Sequence, residues 1–160
     1  MPDLVEIASQ EHILSWCPDW NNCSSWVHDW YKGIEWRYTI ADPNKEFILL
    51  AIIEKSTNEL IGQINTGREY DDEFPEELSI GYFISKDKQN KGYATEAVKA
   101  LARRFFPINP NDFFYAIIKP ANTASIRVVE KAGFRFVSEV ILSDKGTGEA
   151  TLMHYYKLEK

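Results

Sequence analysis

Residues 77–106, "ELSIGYFISKDKQNKGYATEAVKALARRFF", restrict the fold more than any other part of the chain. Leu78, Ile80, Tyr82 and Ile84 alternate with Glu77, Ser79, Gly81 and Phe83, the period-2 pattern of a strand. From Ala94 onward the apolar residues fall instead at Ala94, Val98, Leu101, Ala102 and Phe105, the stripe of an amphipathic helix. A strand that passes into a helix through so short a loop defines a β–loop–α unit, and the helix must pack back on the sheet. The loop itself carries Lys86, Lys88 and Lys91 beside Gly92, in a chain of net charge −6. The first turn of a helix offers unpaired N–H groups and the positive end of its dipole, a site suited to phosphate. Gly92 removes a side chain from that approach, Ala94 keeps the next turn small, and Gln89 adds an amide. The alternative is a glycine that only relaxes the turn, among lysines that are solvated loop charges. Neither a Walker loop nor a G-x-G-x-x-G follows any strand.

The remaining elements fall around this unit. Residues 4–7, "LVEI", alternate and read as a first strand, and Ser9 reads as the N-cap of a short helix reaching about Trp16. Trp16 and Trp20, then Trp26 and Trp30, are spaced i,i+4 around a break at "NNCSS". Residues 45–54 and 60–67 form a hairpin over "STNE". Residues 68–77 are acidic and read as an exposed loop. After "PINPN" ends the helix, residues 112–119 form a buried strand. "ANTASIRVVEKAGF" gives a second helix capped by Asn122 or Thr123 and closed at Gly133. Residues 134–142 and 149–158 form a closing hairpin across "SDKGTG". The order predicts one α/β domain over residues 1–160, with a mixed central sheet of about seven strands and flanking helices.

Composition removes several functions. With 44% hydrophobic and 26% charged residues the chain folds rather than staying disordered. Its longest apolar run, "FILLAII", is far shorter than the ~20 residues that span a bilayer. The first residues lack the basic and apolar run of a signal peptide, so a cytoplasmic location is expected. Cys17 and Cys23 give no disulfide framework, and His12, His28 and His154 are scattered, so no metal site is expected. A pI near 5.1 disfavours duplex nucleic acid as a partner.

"QNKGYA" (Gln89 to Ala94) resembles the Q/R-x-x-G-x-G/A signature of the GNAT N-acetyltransferases. "NTASIRVVEKAGF" (Asn122 to Phe134) is similar to a second signature, in the branch that acetylates ribosomal-protein N-termini and in its polyamine and antibiotic relatives. The similarity is strongest from about Leu78 to Phe136. It implies acetyl-CoA as co-substrate, held between two splayed parallel strands, residues 77–85 and 112–119. By the same resemblance the amides of Lys91, Gly92, Tyr93, Ala94 and Thr95 would hold the pyrophosphate, with Gln89 assisting. The pantetheine would pass Phe83 and Ile84 like an added strand, and Asn122 would bond it from the other side. The acceptor would be a small-molecule amine or a peptide N-terminus, with no nucleic acid or membrane partner and with a homodimer allowed.

Transfer to an amine needs a neutral nitrogen, and a lysine-type amine with pKa ≈ 10.4 is mostly charged near neutrality. A base must take its proton, and a donor must steady the oxyanion and the leaving thiolate. Many relatives in the resembling branch carry Glu where this chain has Ser79, which makes Glu77, on the same strand face, the candidate substitute base. The alternatives are that Glu77 is an exposed strand-end acid, and that acids between Asp71 and Glu76 act through water or attract a cationic acceptor. Relatives often carry Tyr where this chain has Val129. By the resemblance, the serine of Asn-x-x-Ser, here Ser125, would face the thiol, the alternative being an ordinary polar residue in the first turn of a helix. The tryptophans either pack the core or line an acceptor pocket by cation–π contact. Nothing supplies the base and orienting group that Cys17 or Cys23 would need as an acetylated nucleophile. The competing functions are a catalytically impaired CoA-binding sensor or interaction module, and an enzyme using a longer acyl-CoA.

Overall fold

A computed structural model describes residues 2–32, 42–68, 74 and 76–160. The chain begins with a helix, α1 (Pro2–Ala8), where alternation suggested a strand. The same residues satisfy a helical spacing: Leu4, Ile7 and Ala8, at i, i+3 and i+4, are all buried on one face. Ser9 ends α1 instead of capping the next helix, its Oγ donating back to Val5 O at 2.7 Å. Then come α2 (Glu11–Leu14), a 3₁₀ turn (Pro18–Asn22) and α3 (Cys23–Lys32). The expected break at "NNCSS" is the junction between that turn and α3. Trp36, the side chain of Trp30, and residues 69–73 and 75 of the acidic loop lie outside the described residues.

The sheet follows as β1 (Ile48–Glu54), β2 (Glu59–Gly67) and β3 (Ser79–Ile84). Next are α4 (Tyr93–Phe105), β4 (Phe113–Ile118) and α5 (Thr123–Ala132), then β5 (Arg135–Ser143) and β6 (Ala150–Glu159). The described residues form six strands in the order β1-β2-β3-β4-β6-β5. All neighbours are antiparallel except β3 and β4, so the expected mixed sheet with a parallel pair is present, one strand short because residues 4–7 are helical.

Strand alternation divides the core between the two faces of the sheet. Ile80, Ile64, Phe114 and Ala116 pack with Val98, Leu101 and Phe105 of α4 and Val129 of α5. Leu49 and Phe83 point the other way, against Leu4, Ile7, Trp20 and Val27 of the N-terminal helices. α5 opens with Asn122 Oδ1 accepting from Ser125 N–H at 3.1 Å and closes on left-handed Gly133.

Candidate active site

The parallel strands touch at one point. β3 and β4 pair only at Ser79 and Tyr115, where Tyr115 N–H donates to Leu78 O at 3.0 Å. β3 then stays registered with β2 as far as Ile84, while β4 stays registered with β6. Each strand is held on its outer side, so the two part as a fork. The slot between them, with the pocket it opens into, measures about 170 Å³.

The fork leaves one backbone edge open. Ser85 N–H donates to Ile61 O at 2.8 Å, which aligns alternate residues of β3 with β2 and turns the amides of Ile80, Tyr82 and Ile84 towards β4. Ile84 O accepts from His12 Nε2 at 3.1 Å and Gln89 Nε2 at 3.4 Å. Phe83 turns its ring into an aromatic cluster 4.9 Å from Trp20. The edge that an extended ligand can pair with therefore belongs to Tyr82. Tyr82 also donates its hydroxyl to Ser125 O at 3.1 Å, tying β3 to the first turn of α5. Burial raises its pKa, so it stays a donor. Alternation alone made Tyr82 a core residue, and only the fork reveals its role.

At the far end of β3, Asn90 (φ 61°) and Gly92 (φ 87°) both take left-handed backbone. Residues of this kind turn successive N–H groups to one side, a nest for an anion, and here the nest meets the N-terminus of α4. A methyl group placed on Gly92 would meet no atom within 4 Å, so the space is open to a ligand. Lys91, Gly92, Tyr93, Ala94 and Thr95 lie at this turn as the sequence placed them. Gln89 is turned inward to Ile84 O.

The three lysines separate in role. Lys86 and Lys91 are exposed. Lys88 Nζ is bound by Glu54 Oε2 at 2.8 Å and Glu59 Oε2 at 2.6 Å, across the β1–β2 hairpin. The Tyr93 hydroxyl donates to the other oxygen of Glu54, and Thr57 donates to Glu54 at 2.9 Å. Glu54 thus clamps both ends of the loop, and hydrogen bonds from Lys88, Tyr93 and Thr57 hold its carboxyl at a pKa of about 2. A depressed carboxylate stabilises above its unfolded pKa and stops doing so as pH falls through its folded value. Glu54→Gln should therefore lower thermal stability at pH 6, and the difference from the unaltered protein should shrink below about pH 4.5 and vanish only below about pH 2 in melts across that range.

On the wall formed by α5, Ser125 lines the slot, with its N–H on Asn122 and its C=O on Tyr82. Asn122 has its Oδ1 committed, so Nδ2 is the group it can offer. Val129 lines the same wall and brings no proton. Ser79 is fully buried and donates to Gly67 O at 3.1 Å, a structural bond.

Glu77 lies at the closed end, two residues before the Ser79 pairing, and is not among the residues lining the slot. Its Oε2 accepts from Tyr155 OH at 2.7 Å, and Lys157 Nζ is 3.9 Å from Oε1. Burial and the Glu77 carboxylate raise the Tyr155 pKa. The structure therefore brings Ser125 and Asn122 to one slot, places the Gly92 loop beyond the end of β3 and outside the residues lining that slot, and sets Glu77 apart from it.

The opposite mouth is built by the tryptophan-rich segment and the β5–β6 turn. Trp16 is at the rim, 37% exposed, whereas Trp20 is buried and meets the Trp26 ring at 5.1 Å. Asp144 Oδ2 binds Lys119 Nζ at 2.7 Å, while Oδ1 accepts from Gly146 and Thr147 N–H at 2.9 and 3.1 Å. Lys119 chiefly keeps the Asp144 carboxyl below its usual range. Asp19 also lines this mouth. Its surface is open to solvent, yet enough protein surrounds it for desolvation to raise its pKa. No group of three or more metal-ligating side chains occurs among the described residues.

A forked parallel pair ending at an anion nest is the architecture of a CoA-dependent acyltransferase. The family model for the acetyltransferase (GNAT) domain matches residues 1–135, and the chain belongs to that family, whose members use acetyl-CoA as acetyl donor. Among solved structures, it is similar to a GNAT-family acetyltransferase from Bacillus anthracis (22% identity, TM-score 0.74, covering 99% of this chain and 87% of that one). It is also similar to a ribosomal-protein-S5-alanine acetyltransferase from Vibrio fischeri (14%, 0.74, 98% and 86%). A third is the aminoglycoside acetyltransferase AAC(6')-Ib with coenzyme A and kanamycin (18%, 0.68, 98% and 87%). At these identities the likeness concerns the fold. Among the described residues no helix is long and apolar enough to cross a membrane.

Proposed function

We propose that this protein transfers the acetyl group of acetyl-CoA to a primary amine by direct attack in a ternary complex. The amine belongs to a peptide N-terminus, a polyamine or an aminoglycoside-like small molecule. The observation that carries this reading is the fork beyond Ser79 and Tyr115, with the Asn90–Gly92 nest at its end. In this reading the amides of residues 91–95 hold the donor's pyrophosphate, helped by Gln89. The Tyr82 edge, beside Phe83 and Ile84, carries the pantetheine, and Asn122 Nδ2 bonds it from α5. Ser125 Oγ faces the thiol and donates a hydrogen bond that steadies the thiolate as it leaves. Cys17 and Cys23 as thiols suit a cytoplasmic enzyme.

Glu77 takes the amine proton through water, since its carboxylate is already bonded to Tyr155 and reaches no point inside the slot directly. A second reading gives this step to Asp19, which lines the mouth and has a raised pKa. Glu77→Gln should lower kcat/KM most at neutral pH, by about 10²-fold for a lost general base, and recover as free amine accumulates. An unchanged profile for Glu77→Gln with an altered one for Asp19→Asn would move the role to Asp19. Mass detection of an acetylated product from a tripeptide, spermidine or kanamycin tests the function itself. Acetyl-CoA binding with no product from any acceptor would favour a sensor.

A further inference from the structure

Gln63 carries a feature that the donor site does not use. It sits on β2, opposite Phe83, with its side chain on the face of the N-terminal helices. The side chain is 2% exposed, it lines the pocket, and its Oε1 makes no hydrogen bond. A buried carboxamide in a native fold is almost always bonded, so one left unpaired at a pocket wall marks the place of a ligand. Asn65, two residues on, lies on the same face. Its Oδ1 is held by Gly81 N–H at 2.9 Å, which leaves Nδ2 to donate. Gly81 makes the connection possible. A Cβ there would stand 2.5 Å from Asn65 Oδ1, and its absence opens the top of β3 between these carboxamides and the fork.

Position separates this pair from the donor. Asn122, Ser125 and the Tyr82 ring lie on the α4–α5 side of the sheet, whereas Gln63 and Asn65 lie on the other, the face that carries Phe83. A ligand bonded to both must offer acceptors as well as donors, because a carboxamide has an NH₂ and a C=O. A polyamine offers only donors, whereas an aminoglycoside also carries hydroxyls and is disfavoured by its charge alone. The charged residues lining the pocket, among those described, are Asp19 and Asp144 against Lys119 and Lys145, two of each sign. Asp144 is already saturated. Such a mouth has little to hold a polycation.

Building on the transferase reading above, we propose that Gln63, supported by Asn65, is the acceptor-recognition residue, selecting an amine beside a carbonyl, as in a peptide N-terminus, over a polyamine or aminoglycoside. Gln63 positions the acceptor and moves no proton. The test is calorimetric binding of a tripeptide amide, spermidine and kanamycin to the CoA-loaded protein, with the unaltered chain and with Gln63→Leu and Gln63→Glu. The unaltered protein should prefer the tripeptide. Gln63→Leu should weaken tripeptide binding at least tenfold while CoA binding stays unchanged, and the near-isosteric Gln63→Glu should shift preference towards spermidine. Tighter binding of spermidine or kanamycin by the unaltered protein, or unchanged tripeptide binding in both folded variants, would overturn the proposal. These readouts require no turnover. A protein that selects the tripeptide through Gln63 yet never acetylates it would refute the transferase reading and leave the recognition role standing.

Discussion

Gly92→Val is expected to reduce acetyl-CoA binding at least a hundredfold, measured by calorimetry, while the protein stays folded. Gly92 sits at φ 87°, where an L-residue pays roughly 1–2 kcal/mol. A β-branched residue in this region is a genuine outlier. The structure has two ways to respond, and both damage the site. If the backbone keeps its turn, the branched side chain fills the open space where no atom lies within 4 Å. If the backbone relaxes, the amides before α4 no longer face one side. The helix itself should survive, because Val98, Leu101, Ala102 and Phe105 anchor it in the core. Gly92→Ala keeps most of the strain with little of the bulk, so its affinity should fall between the two. Equal affinity for all three proteins would show that the loop holds no phosphate.

Asp144→Ala is expected to produce the largest loss of stability among changes at the pocket. Asp144 is buried and binds the Lys119 ammonium and two backbone N–H groups. Removing it strands a partly buried charge and opens the β5–β6 turn. Breaking such a pair costs about 2–4 kcal/mol here, below the fully buried range because Lys119 retains contact with water. For a chain of this size that is a fall in Tm of roughly 10 °C. The turn also matters to the mouth of the pocket, since Gly146 lies against Pro18 so closely that a Cβ would overlap it. Loosening the turn should therefore raise the KM for the amine while leaving acetyl-CoA binding intact. The depressed Asp144 pKa sets the sign with pH: its contribution is present above the ordinary carboxylate range and is lost as the solution is acidified below it. Asp144→Ala and the unaltered protein should accordingly converge in stability at strongly acidic pH. A stable Asp144→Ala protein at pH 7 would show that the pair is incidental.

Much of the fold was legible because periodicity and turn chemistry agreed. The β3–α4 unit announced itself by the change from alternation to a helical stripe at Gly92, and α5 by its Asn122 cap and Gly133 stop. Residues 4–7 misled, because Val5 and Ile7 alternate around Glu6 over so short a run; Leu4 and Ile7 keep helical spacing, and their burial together with Ala8 on one face decides for a helix. The donor side of the site lies on contiguous motifs, so spacing could locate it. The rest depends on pairing between distant segments. The fork exists because β3 and β4 meet at one residue pair, which no local pattern encodes. Spacing cannot separate Lys86, Lys88 and Lys91, and only the tertiary structure shows that Lys88 is taken by Glu54 and Glu59 from the neighbouring hairpin. Glu77 shares the Ser79 face of the strand, but it lies on the closed side of the Ser79–Tyr115 pairing and its carboxylate is bonded to Tyr155, so only a water could link it to the slot. Gln63 carried no signal beyond a polar residue in a strand, and its meaning rests on Gly81, sixteen places away in Asn65's hydrogen bond.

The most direct measurement is acceptor-dependent release of thiol from acetyl-CoA, followed for the unaltered protein and for Gly92→Val. At least one primary amine should raise the rate well above the acceptor-free background, and Gly92→Val should remove that rise. Thiol release that no amine stimulates, from a protein that binds acetyl-CoA at the Gly92 loop, would contradict the transferase reading.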